Sequence, residues 1–156
     1  MRIPGLNAFP AVSAERVIAA PAERIFAVLA DPRRHREIDG SGTVRAAVDG
    51  PQRLAAGSVF GMNMSQGASY QMTNTVVDYE ENRRIAWQPR PTNAVAALAV
   101  GGRIWRYELE PVGPGTRVRE TWDISAERFP PAIWLLRGLT RRNMTKTLAR
   151  LDALVT

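Results

Sequence analysis

Hydrophobic and polar positions alternate along most of the chain before residue 126, and this pattern predicts a series of β-strands. The first strand is predicted over Ser13–Ala20. Six more follow, separated by turns rich in Gly, Pro and Asn, and they are predicted at Thr43–Val48, Ser58–Ser65, Tyr70–Tyr79, Arg83–Gln88, Arg103–Glu110 and Thr116–Ser125. Because these strands are closely spaced and no helix separates them, they must pair antiparallel.

Two short helical segments are predicted directly after the first strand. Pro21 suits the first position of a helix, and it precedes a helical apolar pattern over Ala22–Ala30. Asp31-Pro32 ends that helix, because a residue before proline is disfavoured in helical conformation. A second helical turn is predicted over Arg33–Ile38.

The last part of the chain, from Pro130 onward, has the periodicity of one long helix with an apolar face. Gly138 is the position where this helix is expected to bend. The apolar face is formed by Ile133, Leu136, Met144, Leu148, Leu151 and Val155. The alanine-rich segment Pro91–Gly102 fits a loop, a strand extension or a short helix equally well.

This order of elements predicts an α+β fold. A long helix with one apolar face needs a partner surface, and a curved antiparallel sheet of about seven strands is the only one that the sequence offers. The chain has 156 residues, the size of a single domain, so we expect one domain over 1–156 with its core at about 12–154. A helix laid across a curved sheet leaves space, and that space is the candidate pocket.

Strand alternation predicts which side chains of the last hairpin face the pocket. If Leu109 pairs with Val118, then Tyr107 lies opposite Glu120. The same register places two tryptophans and one arginine on this side: Trp105, Trp122 and Arg103.

Two further sets complete the predicted lining. A turn at Glu80-Glu81-Asn82 would place Thr75 opposite Trp87, with Thr73 on the same face. A neighbouring strand and the C-terminal helix add four apolar residues: Phe60, Met62, Met64 and Met144. Ligand pockets commonly combine such an apolar lining with a few polar groups.

The composition excludes several classes of site. Without cysteine the chain has no disulfide, no thiolate nucleophile and no cysteine-bound metal. A single histidine is a poor basis for a metal site, and neither a glycine-rich phosphate loop nor a serine–histidine–acid signature is evident. We therefore expect no metal and no cofactor. No apolar run is long enough to span a membrane, and Met1–Pro10 lacks the pattern of a signal peptide, so the cytoplasm is the expected compartment.

The net charge of +6 is due almost entirely to arginines spread along the chain. Such a spread favours anionic ligands or surfaces in general, but it does not indicate a nucleic-acid site. Arg142, Lys146 and Arg150 share one stripe of the C-terminal helix. This stripe is either a solvated face or a surface for transient contact with an anionic membrane. A monomer and a homodimer are both compatible with the sequence.

Several motifs resemble one known group of proteins. The segment Glu15–Phe26, followed by Ala30-Asp31-Pro32, matches a strand, "A-P-x-x-x-(I/V)-F" and a helix ended by "D-P". Leu109-Glu110-Pro111 together with Gly115-Thr116-Arg117-Val118 matches the usual last hairpin of the same group. The chain thereby resembles the START-like or SRPBCC superfamily over roughly Val12 to Leu154. The resemblance is strongest to its bacterial polyketide cyclase/dehydrase and lipid-transport group.

This resemblance implies a helix-grip fold, which the superfamily shares with the birch-pollen allergen family, and a pocket for a hydrophobic small molecule. The matching motifs are structural rather than catalytic, so they do not specify a reaction. Many relatives carry a tryptophan shortly after "D-P", whereas His35 lies in that region here.

Three candidate groups could transfer protons in such a pocket: Glu120, Tyr107 and His35. A buried Glu120 could act as an acid or base, or it could simply bond to Tyr107. His35 could work with Asp39 at the mouth of the cavity, or it could be an exposed residue or a helix cap.

Three functions therefore remain open. The first is a carrier or sensor of a lipid, polyketide or aromatic compound. The second is a polyketide cyclase/dehydratase-like enzyme that uses the same cavity, since holding reacting atoms together supplies much of the catalysis of a cyclisation. The third is a structural or partner-binding domain with a filled cavity.

Overall fold

The computed structural model describes residues 9–156, so the first eight residues of the predicted 1–156 domain and most of Met1–Pro10 lie outside the described residues. In chain order the elements are β1 Val12–Ile18, α1 Ala22–Leu29, a 3₁₀ turn Pro32–Arg34, α2 His35–Ile38, β2 Val44–Val48, β3 Val59–Gln66, β4 Ala68–Glu80, β5 Arg84–Pro91, α3 Ala94–Ala99, β6 Ile104–Val112, β7 Gly115–Asp123, α4 Pro130–Trp134 and α5 Arg137–Val155.

The seven strands form one antiparallel sheet in the order β1-β7-β6-β5-β4-β3-β2. Helix α5 packs against β1, β7, α1 and α2. This arrangement confirms the predicted α+β helix-grip fold, with a long C-terminal helix held by a curved sheet.

Two apolar clusters hold the helices to the sheet. The larger one joins α1, the sheet and the C-terminal half of α5, and it includes the fully buried side chains of Phe26, Ile85 and Leu151. The smaller one joins β1 and β7 to α4 and to the first half of α5 through Trp122 and Met144. Full burial of each such side chain is worth about 1.5–3 kcal/mol, so these clusters fix α5 over the sheet.

The last hairpin has the predicted register. Leu109 pairs with Val118, Tyr107 with Glu120 and Trp105 with Trp122. Strict alternation on both strands and a tight turn at Gly113, whose φ is 58°, account for this result.

The predicted register of β4 with β5 is wrong. Val76, not Thr75, pairs with Trp87. The turn places Glu80 rather than Asp78 opposite Arg84, and a β-bulge at Val77 then adds one residue to β4. The extra residue reverses the side-chain faces of the part of β4 that precedes it. Thr73 is therefore exposed on the outer face and Thr75 also points away from the pocket, whereas Asn74 points inward.

The two uncertain helical regions are also resolved. Residues 94–99 form helix α3, which begins where the Asn93 side chain accepts hydrogen bonds from two backbone N–H groups. The predicted continuous C-terminal helix is instead two helices, and the break lies at Leu135 and Leu136 rather than at Gly138.

Candidate functional site: a cavity between the sheet and helix α5

A cavity of about 1010 Å³ lies between the inner face of the sheet, α2 and the α4–α5 region. This volume is at the upper end of the range of about 300–1,000 Å³ that is typical of ligand pockets. Ten of the thirteen predicted site residues line it: His35, Phe60, Met62, Met64, Trp87, Arg103, Trp105, Tyr107, Glu120 and Met144.

Three predicted site residues do not line the cavity. Thr73 and Thr75 are placed on the other face of β4 by the bulge described above. Trp122 points to the predicted side of β7 but is only 1% exposed, because its ring packs beside Trp105 with the ring centroids 6.4 Å apart. Trp122 thus belongs to the smaller apolar cluster and supports the wall of the cavity.

A buried hydrogen bond joins the two polar groups of the last hairpin. The Tyr107 hydroxyl donates to Oε1 of Glu120 over 2.9 Å. Glu120 is only 3% exposed, and its Oε2 is buried without a hydrogen-bond partner among residues 9–156. One carboxyl oxygen is thereby fixed, and the other is left unsatisfied.

The surroundings of Glu120 favour its neutral form. Burial raises the pKa of Glu120 to about 8, the hydrogen bond from Tyr107 opposes this rise, and the negative charge of Asp39 adds to it. Burial and the proximity of Glu120 raise the pKa of Tyr107 well above its usual value. At neutral pH the pair therefore consists of a carboxylic acid and a phenol, and Glu120 can donate a proton from Oε2.

His35 is buried in the cavity wall, which excludes the alternative of an exposed residue. Its Nε2 lies 2.8 Å from the carbonyl oxygen of Leu29, and burial lowers the pKa of the ring. Since a carbonyl oxygen only accepts, Nε2 carries the proton and Nδ1 is left as an acceptor. Asp39, the partner considered for His35, accepts hydrogen bonds from the backbone and side chain of Ser41 and from the backbone N–H of Val44.

Aromatic rings form a continuous surface in the cavity wall. The ring of His35 stacks on Trp87 with centroids 4.8 Å apart and an interplanar angle of 17°, and Tyr107 stacks on the same indole at 5.5 Å. Phe60 contacts both His35 and Trp87 edge-on. Stacked and edge-on pairs of this kind hold rings in place, so this surface is preorganised for a flat or apolar ligand.

A buried ion pair fixes one side of the cavity mouth. The carboxylate of Glu127 has no solvent exposure and accepts bonds from Arg103 Nε, from the Arg103 backbone N–H and from the Gly101 backbone N–H, each within 3.3 Å. This pair ties the segment after α3 to the segment before α4. Strand alternation predicted Arg103 beside the cavity, whereas nothing in the local pattern around Glu127 marks a buried acid.

The mouth of the cavity is bordered by apolar side chains that are also open to solvent. Tyr70, Leu136 and Leu139 line the cavity and are 40%, 48% and 55% exposed. The helical spacing of Leu136, Leu139 and Asn143 was sufficient to predict that they share a face, but their position at a mouth depends on the tertiary fold.

The described residues also limit other kinds of site. In the range 9–156, no group of three or more His, Cys, Asp or Glu side chains is arranged to hold a metal ion. None of the helices in that range combines the length and apolar character needed to cross a bilayer.

Residues 10–156 match the protein family described as "Polyketide cyclase / dehydrase and lipid transport". The chain therefore belongs to this family, which confirms the resemblance drawn from its motifs. The fold is thus a ligand-binding fold of the SRPBCC type.

Two curated proteins are similar to this chain in sequence. The uncharacterized protein Rv0088 of Mycobacterium tuberculosis is 42% identical over 117 residues, which are 74% of this chain and 48% of that protein. A second uncharacterized protein of that species, MT0096, is 41% identical over 117 residues and is covered to the same extent. The chain spans about half the length of these curated relatives.

Solved structures share the fold at low sequence identity. Protein Ms6760 from Mycobacterium smegmatis is 16% identical with a TM-score of 0.70, covering 99% of this chain and 96% of that chain. A protein from Arthrobacter aurescens is 15% identical with a TM-score of 0.72, covering 95% and 87%. DynU16, from the dynemicin biosynthetic locus, is 14% identical with a TM-score of 0.65, covering 92% of this chain and 46% of that chain.

Proposed function

We propose that this protein binds a hydrophobic small molecule in the cavity and acts as its carrier or sensor. The ligand would be a lipid, a polyketide or an aromatic compound. The observation that supports this proposal most is the combination of an apolar, aromatic lining with one unsatisfied buried carboxyl oxygen, Oε2 of Glu120. An unpaired buried polar group costs about 1–3 kcal/mol, and a ligand atom that accepts a hydrogen bond from Oε2 would remove this cost.

The same groups define the polarity expected of the ligand. Neutral Glu120 offers a donor, whereas Nδ1 of His35 offers an acceptor. A ligand with a carbonyl or hydroxyl oxygen on an otherwise apolar skeleton satisfies the donor, and a hydroxyl group satisfies either. A fully saturated hydrocarbon would leave both groups unpaired.

One observation favours a second candidate function, a cyclase/dehydratase-like enzyme. A carboxyl group whose pKa is about 8 is poised to give or take a proton near neutral pH, and it lies in the cavity beside Tyr107. In that case Glu120 would protonate or deprotonate a substrate that the aromatic wall holds in a folded conformation.

Adjacent residues of β4 provide a matched test of the binding proposal. Met72 lines the cavity, and Thr73 is exposed on the opposite face of the sheet. Met72→Trp should fill part of the cavity, whereas Thr73→Trp places the same tryptophan side chain outside the cavity. The probe is N-phenyl-1-naphthylamine, an uncharged compound whose fluorescence rises in an apolar environment.

We expect the wild type and Thr73→Trp to bind the probe with similar affinity, and Met72→Trp to bind it at least about tenfold more weakly. The absence of probe binding in all three proteins would contradict the proposal and would favour a structural or partner-binding domain. Glu120→Gln distinguishes carrier from enzyme, because it keeps the shape of the side chain and removes its titration. If the protein is an enzyme, the Glu120→Gln variant should keep its affinity for the probe and lose turnover of the substrate.

A further inference from the structure

We propose that the cavity mouth docks on an anionic lipid bilayer, with the exposed apolar side chains at the mouth entering the interface and the basic residues of α5 facing the headgroups. This inference rests on the proposed function, since a carrier of an apolar molecule has to exchange it with a phase that dissolves it. It also extends the expectation drawn from the sequence, which named the stripe of Arg142, Lys146 and Arg150 as a surface for membrane contact, by adding the apolar side chains at the mouth.

The apolar part of this surface, here called the mouth rim, consists of exposed side chains from three separate elements. The hairpin between β3 and β4 contributes Tyr70, and α5 with the residues just before it contributes Leu136 and Leu139. Helix α3, whose Ala96 lines the cavity, adds Val95 and Leu98, which are 77% and 59% exposed but do not themselves line the cavity. Large apolar side chains grouped around an opening mark an interaction site.

The charged part of the surface is entirely positive along α5. From Leu136 to Leu151 the helix carries basic residues and no acid, and the first acid is Asp152. At 100° per residue, Arg142 and Lys146 lie about 90° and about 50° from the middle of the Leu136–Leu139 face, whereas Arg137 and Arg141 lie about 130° and about 170° from it. None of these four forms an ion pair with any residue in the range 9–156.

Arg150 is not equivalent to the other basic residues of α5. Its guanidinium donates to the backbone carbonyl of Asp39 and thereby holds the end of α2 against α5. Arg137 is likewise held, because its guanidinium donates to the backbone carbonyl of Trp134 and lies 3.5 Å from the centroid of that indole. The positive charges nearest the leucine face are therefore those of Arg142 and Lys146, at the mouth end of the predicted stripe.

Exposed leucines beside arginine and lysine on one helix are the pattern of an interfacial helix. Its apolar face enters the boundary between headgroups and acyl chains, and its cations contact anionic headgroups. The mouth rim combines this helix with an uncharged α3, so the opening of the cavity would face the acyl chains directly. An anionic bilayer satisfies both the apolar and the charged half of the surface.

The test measures co-sedimentation of the full chain with vesicles of phosphatidylcholine alone and of phosphatidylcholine with phosphatidylglycerol. Leu136→Ser with Leu139→Ser should weaken binding to the anionic vesicles at least about tenfold. The control for this variant is Val59→Ser with Val77→Ser, two valines that are 51% and 47% exposed on the sheet and do not line the cavity.

A second pair of variants tests the charges. Arg142→Gln with Lys146→Gln should weaken binding about 25-fold, since each basic residue near the surface contributes about fivefold. The control is Arg83→Gln with Arg117→Gln, which removes the same charge at the end of the sheet opposite to the hairpin of β3 and β4. This control should change binding by no more than about twofold.

Binding that is the same for both vesicle compositions, or equal losses in the test and control variants, would overturn the inference. Failure to bind either vesicle would also overturn it. Probe binding in solution by the same samples separates this failure from failure of the proposed function. If the protein binds N-phenyl-1-naphthylamine but does not bind vesicles, the proposed function stands and the proposed docking surface does not.

Discussion

The buried carboxyl group of Glu120 leads to a prediction about stability that can be worked out in magnitude. The pKa of Glu120 is raised from 4.5 to about 8, chiefly by burial. In the unfolded chain Glu120 ionises near pH 4.5, whereas in the folded protein it keeps its proton up to about pH 8. Between these values the folded state binds one proton more than the unfolded state, so stability falls as the pH rises.

The size of this effect follows from the width of the window. The two pKa values differ by about 3.5 units, and each unit corresponds to about 1.4 kcal/mol, so the free energy of unfolding should fall by about 5 kcal/mol across the window. This contribution is fully present below about pH 4.5 and is lost by the time the pH has passed about 8. Glu120→Gln has the same shape without the titration, and its stability should lack this fall.

The assay is urea unfolding of the wild type and of Glu120→Gln at a series of pH values between about 4 and 9. The difference between the two proteins cancels the titration of other groups, including that of His35. Relative to the wild type, the free energy of unfolding of the variant should rise by about 1.4 kcal/mol per pH unit across this pH range. Parallel stability curves would refute the reasoning, because they would mean that Glu120 is ionised in the folded protein.

Two further predictions concern the support of the site. Tyr107→Phe removes the hydrogen-bond donor to Glu120, so it should lower the free energy of unfolding in urea by about 1–3 kcal/mol. Because that bond lowers the pKa of Glu120, the variant should also raise the pH at which the stability stops falling. An unchanged pH range would contradict this prediction. Gly40→Ala should cost at least about 2 kcal/mol, because its Cβ would lie 2.1 Å from the backbone oxygen of Asn143. Gly138→Ala is the matched control, since nothing lies within 4 Å of its Cβ, and a helical alanine there should raise stability by up to about 1 kcal/mol in the same measurement.

The parts of the fold that alternation and turns define locally could be predicted from the sequence. The hairpin of β6 and β7 is an example, because both strands alternate strictly and the register of Tyr107 with Glu120 follows from one tight turn. The register of β4 could not be predicted in this way. The bulge at Val77 shifts the alternation by one residue, and two adjacent valines followed by an aspartate do not indicate it.

The chemistry of the site depends on contacts between residues that are distant in sequence. His35 stands among arginines in the sequence, yet in the fold its ring is buried on Trp87 and bonded to the backbone of Leu29. Glu127 looks like a surface acid in the sequence, yet it is the buried partner of Arg103. Local patterns identified most of the residue types in the cavity, but partner, burial and protonation state required the tertiary structure.

The central claim is that the cavity holds an apolar molecule, and extraction of the purified protein with organic solvent followed by mass spectrometry tests it most directly. The proteins compared are the wild type, Met72→Trp and Thr73→Trp. We predict an apolar compound bearing an oxygen function, near one molecule per chain, in the wild type and Thr73→Trp and strongly reduced in Met72→Trp. Extracts that contain no such compound, or contain it equally in all three proteins, would contradict the account.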